Sequence, residues 1–154
     1  MKNIDLKKLI FYIGITLLIG SLPSFFIKIS DTYKSLNRPP LSPPGIVFPI
    51  VWTILYILSG ISIYRIMMSK NENKKEARLI YFIQLIINAC WTPIFFGFQE
   101  YFLAFLWILM LILLVVTMIL IFFKIDKISA YLNIPYLAWL LFACYLNFGV
   151  YVLN

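Results

Sequence analysis

The sequence predicts an all-α membrane protein, a five-transmembrane-helix bundle, from three observations. Hydrophobic residues make up 63% of the 154-residue chain and charged residues only 12%, about half the charged share that solvates a soluble domain. Five apolar runs, each near the ~20 residues a helix needs to cross a bilayer, take up almost the whole length. Nearly all the charges fall between or at the ends of these runs. So little chain is left over that residues 1–154 read as a single transmembrane domain.

The elements follow in order. Residues 9–27 form the first span, after Lys7 and Lys8 and before Lys28. That run is too long for the apolar part of a signal peptide, and Pro23 bends or ends the helix. Residues 28–44 are the longest polar connection, and Pro39, Pro40, Pro43 and Pro44 favour a stiff, extended segment that caps the mouth of the bundle. The second span covers 45–68, with Pro49 tolerated in its first turn. Ser69 to Arg78 reads as a solvated loop. The third span is 79–98, the fourth 102–123 and the fifth 129–153. Only Gln99, Glu100 and Tyr101 join the third and fourth spans, which makes those two antiparallel neighbours.

Basic residues orient the chain. Lys2, Lys7, Lys8, Arg65, Lys70, Lys74, Lys75, Arg78, Lys124 and Lys127 fall on one side; Lys28, Lys34 and Arg38 fall on the other. The positive-inside rule then places the N-terminus in the cytoplasm, with the C-terminus and the proline loop outside, in a multi-pass protein of the cell membrane. The net charge of +7 is explained by this distribution. No basic stripe of the kind nucleic acid requires is formed, so nucleic acid is not an expected partner.

Several chemistries are excluded. Histidine is absent, so no Ser-His-Asp triad, Cys-His pair or His-based metal site can be built, and no metal site is expected. Cys90 and Cys144 sit inside apolar runs and read as packing thiols. Glu100 and Asp126 fall at helix ends, leaving no acid or base mid-span for an ion-coupled relay. The polar content of the bundle is Gln84, Asn88 and Asn147 with a few hydroxyls. Gln84 and Asn147 are expected to bond between helices. Asn88, one turn beyond Gln84 and followed by Trp91 and the Pro93 kink, points to a pocket. Phe48, Trp52, Tyr56 and Ser59-Gly60 align on the second span, as do Trp139, Ala143 and Asn147 on the fifth. Large residues followed by small ones on facing helices leave a cavity walled by indole rings.

Three segments carry a resemblance. Leu41-Ser42-Pro43-Pro44-Gly45-Ile46-Val47-Phe48-Pro49-Ile50-Val51-Trp52-Thr53-Ile54-Leu55-Tyr56 resembles the signature entering the second helix of the TspO/MBR family, the translocator proteins, peripheral-type benzodiazepine receptors and tryptophan-rich sensory proteins. Asn88-Ala89-Cys90-Trp91-Thr92-Pro93-Ile94-Phe95-Phe96-Gly97 is similar to its third-helix motif. Pro135-Tyr136-Leu137-Ala138-Trp139 with Tyr145-Leu146-Asn147 is similar to its fifth-helix motif. The resemblance covers the whole chain in order. It implies a five-helix bundle, usually a homodimer, binding tetrapyrroles such as protoporphyrin IX and benzodiazepine-type ligands beneath the first loop. Bacterial members are associated with oxygen, light or stress responses and with photo-oxidative porphyrin breakdown. Carried over by motif, the pocket includes Pro43, Phe48, Trp52, Asn88, Trp91, Trp139 and Ala143, with Tyr33 and Trp107 as further members. The mitochondrial sterol pattern is missing, since no basic residue follows Tyr151. Ala89 and Pro93 also spoil the small-residue dimer pattern of the third helix.

The chemistry of the residues agrees with that ligand type. A porphyrin is a flat apolar disc with two propionates at one edge, suited to indole walls and a few polar groups. Lys34 and Arg38 are candidates to meet the propionates. Without histidine, metal-free protoporphyrin fits better than haem, and no cofactor is expected. Degradation would be driven by light and oxygen, with Trp52 and Trp139 as oxidisable, closely stacked indoles in the catalytic role. Two other readings remain: a transporter of porphyrins or other lipophiles, and a ligand-responsive sensor or scaffold for another membrane protein.

Overall fold

The computed structural model describes residues 4–154, so Lys2 of the charge count lies outside the described residues. Helix α1 runs Leu6–Ser21, and the Asp5 side chain caps it by accepting from the Lys8 N–H at 3.2 Å. At Pro23 the chain tightens into a 3₁₀ turn over Leu22–Phe25, so the first span covers Leu6–Phe25. The loop of 28–44 is not extended throughout, because α2 occupies Ile29–Ser35. That stretch has no proline or glycine. Asp31 in its first turn and Lys34 in its last complement the helix dipole.

Helix α3 spans Val47–Met68 and α4 spans Lys74–Thr92. The start of α4 lies five residues before the predicted 79. The segment Lys74-Lys75-Glu76-Ala77-Arg78 consists of good helix formers, so the helix outruns the apolar run that marked it. After Thr92 a single π-helical turn, Pro93–Gly97, follows, with the Phe98 N–H reaching the Pro93 carbonyl at 2.9 Å. Helix α5 covers Tyr101–Ile125. The fifth span is broken, against expectation, into α6 (Lys127–Tyr131) and α7 (Ile134–Leu153). Pro135 lacks an N–H and its ring opposes the carbonyl four residues back, so one helix cannot run through. Asn133 occupies the break and donates to the Ser62 hydroxyl at 2.7 Å and the Ser129 carbonyl at 2.9 Å.

Five stretches are long and apolar enough to cross a membrane, and leucines and isoleucines such as Leu18, Ile54, Leu113 and Leu141 face outward. The protein is a multi-pass membrane protein and an all-helical bundle. Around it the helices follow α3, α1, α4, α5 and α7, each packed closely on the next. Gly60 permits the tightest approach, since a Cβ there would lie 2.6 Å from the Ile13 Cα. The centre is filled by Ile63, Tyr81, Leu85, Leu111, Met118 and Phe122. The ring does not close evenly. Helix α3 packs on α6 but its backbone stands away from α7, leaving a seam between the second and fifth spans.

Asn133 joins Gln84, Asn88 and Asn147 in the buried polar content, and the buried hydroxyls are Thr16, Ser59, Ser62 and Ser129. Thr16 bonds the Tyr81 hydroxyl. The other hydroxyls form a ladder with Asn133 at the end of the bundle remote from the proline loop. Ser59 donates to the Asn133 side-chain oxygen at 3.1 Å, Ser62 donates to the Ser129 backbone carbonyl at 2.8 Å, and Arg65 grips Asp126 through two bonds of 2.7 and 3.0 Å. Small hydroxyls are hard to place by sequence because they also sit comfortably in lipid-facing helices, bonded to their own backbone as Thr117 is to Leu113.

Candidate ligand pocket under the proline loop

Backbone packing leaves the seam between α3 and α7 open, and aromatic side chains bridge it. Phe48 and Trp139 meet edge-on with ring centres 6.0 Å apart, and Trp52 meets Tyr136 in the same way at 6.0 Å. Helical spacing sets these contacts: Phe48, Trp52 and Tyr56 are four apart on α3, and Tyr136 and Trp139 three apart on α7. Trp52 stacks on Tyr56 at 5.3 Å with planes 28° apart. Trp139 packs on Phe142 at 5.5 Å. Among the described residues no ring contact joins Trp52 to Trp139, so the expected stack of two indoles is replaced by two separate aromatic pairs spanning one seam.

The roof comes from the loop. The Tyr33 hydroxyl donates to the Pro43 carbonyl at 2.5 Å and its ring meets Phe48 at 5.2 Å, so Tyr33, Pro43 and Phe48 form one unit above Trp139. Arg38 places its guanidinium 4.7 Å from the centre of the Tyr33 ring. The rest of the loop is fastened to the end of α7. Asn37 and Asn154 exchange hydrogen bonds, the Tyr145 hydroxyl donates to the Pro40 carbonyl at 2.8 Å, and Pro39 is buried against Gly149. These contacts hold the proline loop against α3 and α7.

Below the aromatic layer lie the amides. Asn88 donates to the Tyr56 hydroxyl at 3.0 Å, tying α4 to α3 behind Trp52. The Tyr136 hydroxyl donates to the Gln84 side-chain oxygen at 2.9 Å. The Gln84 Nε2 and the Trp139 Nε1 are both buried with no hydrogen-bond partner among the described residues. A narrow void lined by Leu55, Tyr56, Gln84, Leu85 and Tyr136 occupies this level. On the outer side of the seam a groove of about 420 Å³ is lined by residues of α3 and α7, among them Ile54, Leu55, Ala138 and Trp139.

The predicted site residues therefore divide. Tyr33, Pro43, Phe48, Trp52 and Trp139 come together at the seam, with Asn88 one layer behind. Ala143, one turn above Trp139 on α7, is half-buried against the core. Trp91 stands apart: it donates to the Asn147 side chain at 3.0 Å and stacks on Phe95 at 4.8 Å. Asn147 in turn donates to the Tyr101 carbonyl at 2.9 Å, which makes it the interhelical bond expected. Trp107 donates to the Ile87 carbonyl at 2.7 Å and belongs to the α4–α5 contact rather than the seam. Tyr136 and Leu55 were missed as site residues. Tyr136 stands one turn before Trp139 on the same face, a signal that was legible in the sequence.

Comparison with known proteins bears on the whole chain. The TspO/MBR family pattern matches residues 12–153. The chain is 33% identical to the tryptophan-rich protein TspO of Chlorobaculum tepidum, over 99% of both chains. It is 35% identical to the tryptophan-rich sensory protein of Cereibacter sphaeroides, over 83% of this chain and 80% of that protein. It is 33% identical to the translocator protein of Ovis aries, over 77% of this chain and 72% of that protein. A match of this extent, over a helical bundle whose loop roof and indole-lined seam are built from the motif residues, means that the chain belongs to the TspO/MBR family.

Proposed function

We propose that this protein binds a flat tetrapyrrole, protoporphyrin IX or a close relative, and benzodiazepine-type ligands, within the bundle at the α3–α7 seam, and that it promotes photo-oxidative loss of the bound porphyrin. The observation that carries the reading is the aromatic bridge of Phe48, Trp52, Tyr136 and Trp139 beneath the Tyr33–Pro43 roof. Side-chain edges hold this seam in place of close backbone packing, so it is the part of the bundle that can part around a disc. The ring faces then offer stacking surfaces, and Gln84 and Trp139 offer unpaired donors. Arg38, exposed above the roof, is placed to meet a carboxylate.

Light supplies the activation. The excited porphyrin is the sensitiser, dioxygen is the oxidant, and an indole alongside the ring is an oxidisable side chain within reach. No acid, base or metal of the protein is called for. Names of relatives speak of sensing and of translocation, and both are compatible with a ligand held inside the membrane. We further propose a homodimer, with the N-terminus cytoplasmic.

The test is a titration of the purified protein with protoporphyrin IX in darkness, read by tryptophan quenching and the porphyrin absorbance band. Saturable binding near one porphyrin per chain is expected. Quenching that rises linearly with added porphyrin, as it does in detergent alone, refutes the reading. Flux of porphyrin in proteoliposomes would instead favour transport.

A further inference from the structure

Resting on that binding reading, we propose that the groove between α3 and α7 is the entry site through which the ligand reaches the interior sideways from the bilayer, and that the proline loop is a fixed roof. The occupant is a membrane-dissolved, flat, largely apolar molecule carrying hydrogen-bond acceptors at one edge.

The first observation is the shape of the ring of helices. Every neighbouring pair is closely packed except α3 with α7, whose contact is made at the far end through α6. Where they diverge, the groove of about 420 Å³ is faced by Val51, Ile54 and Leu55 of α3 and by Ala138, Trp139 and Phe142 of α7. Val51 to Leu55 lie one to two turns into α3 from its loop end, which puts the groove roughly 6–12 Å below the start of the helix, at hydrocarbon depth. Ile54 and Ala138 are exposed there and so face lipid.

The second observation is what stands behind the groove. Leu55 is buried and lines both the groove and the narrow interior void, so it is the partition between lipid and interior. Beyond it the Gln84 Nε2 is buried without a partner among the described residues, as is the Trp139 Nε1 in the groove wall. A buried donor without an acceptor is unfavourable until one reaches it. Two of them beside one seam select an incoming molecule with acceptors, a carbonyl or carboxylate edge, over a plain hydrocarbon.

The third observation closes the competing route. The loop is held at Asn37, Pro39 and Pro40 to the end of α7, and at Tyr33 and Pro43 to Phe48. Entry from above would have to release all of these together. Entry from the side requires only that Leu55 and the aromatic edges yield.

The experiment uses the full chain in phosphatidylcholine nanodiscs, mixed with protoporphyrin IX and followed by tryptophan quenching in a stopped-flow instrument. Ala138→Phe, which fills the groove mouth, should slow the saturable phase about tenfold while dark occupancy at equilibrium is retained. Ile54→Ala, which widens the mouth, should quicken it about twofold or more. Loosening the loop at its clasp on α7 with Asn37→Ala/Asn154→Ala should leave the rate unchanged. Wild-type rates in Ile54→Ala, or acceleration by the loop variant, would overturn lateral entry even if Ala138→Phe fails to fold. Absence of a saturable phase in wild-type protein would instead remove the binding reading, and this inference with it.

Discussion

Asn37 and Asn154, 117 positions apart, clasp each other: the Asn37 N–H donates to the Asn154 side-chain oxygen at 3.0 Å, and the Asn154 amide donates to the Asn37 carbonyl at 2.8 Å. The same Asn154 amide also bonds the Val150 carbonyl at 2.8 Å, so the final turn of α7 is capped by the residue that holds the loop. Replacing Asn154 by Ala should free the loop by about 1–2 kcal/mol. Hydrogen exchange at residues 36–42 should then rise about tenfold, with the core of α5 unaffected. Unchanged exchange would mean that the remaining contacts, Pro39 against Gly149 and Tyr145 on Pro40, hold the loop without Asn154.

At the other end of the bundle, Arg65 and Asp126 make a bidentate pair, and Asp126 also caps α6 through the Ser129 N–H. The Arg65 guanidinium, aided by Ser129, holds the Asp126 carboxyl down to about 2 from an ordinary value of 3.8. A depressed acid contributes stability that is complete above its unfolded pKa and lost as pH falls through its folded one. Thermal unfolding in mild detergent should therefore show a stability loss between about pH 4 and 2. Asp126→Asn should flatten that part of the curve while keeping the α6 cap. An acid limb of the same size in the variant would assign it to other carboxylates.

Two glycines on facing helices should respond in opposite ways. At Gly60 an added methyl meets the Ile13 backbone, which cannot step aside, so Gly60→Ala should destabilise by about 1–3 kcal/mol. At Gly14 nothing lies within 4 Å of the added methyl. Gly14→Ala should be neutral or stabilising by up to about 1 kcal/mol through helix propensity. Unfolding midpoints of the two variants check the α1–α3 packing directly. Equal effects would show that this contact is looser than described.

Much of this architecture was legible in the sequence because a bilayer imposes a coarse and severe rule. Leu113 or Ile83 cannot face lipid by accident, and about 20 apolar residues in a row have one use. The aromatic face of α3 was legible too, since Phe48, Trp52 and Tyr56 fall at helical spacing. What escaped was set by tertiary contacts. Pro135 forces a break in the fifth span, but its place at Leu132–Asn133 is fastened by Asn133 meeting Ser59 and Ser62 on α3, 74 and 71 positions away. Helix α4 begins early because the bilayer boundary is not the helix boundary. Trp107 and Trp139 look alike in sequence, yet one indole N–H bonds a neighbouring backbone and the other is unpaired. Which indole N–H is left unpaired is decided by partners that no local pattern encodes.

Under the proposed function, Trp52 and Trp139, each packed in its own aromatic pair on one seam, take part in the photochemistry rather than only shaping the pocket. The direct measurement is the absorbance of bound protoporphyrin IX under illumination in oxygenated buffer. Wild type and Trp52→Phe/Trp139→Phe are compared at equal occupancy, with detergent-only controls for free porphyrin. Phenylalanine still stacks but is far harder to oxidise, so much of the dark binding should survive while light-driven loss of the porphyrin band is suppressed, by about tenfold or more if electron donation by the indoles limits the rate. Loss of the band at the wild-type rate in the double variant would contradict the account and leave a binding protein whose ligand is photosensitive by itself.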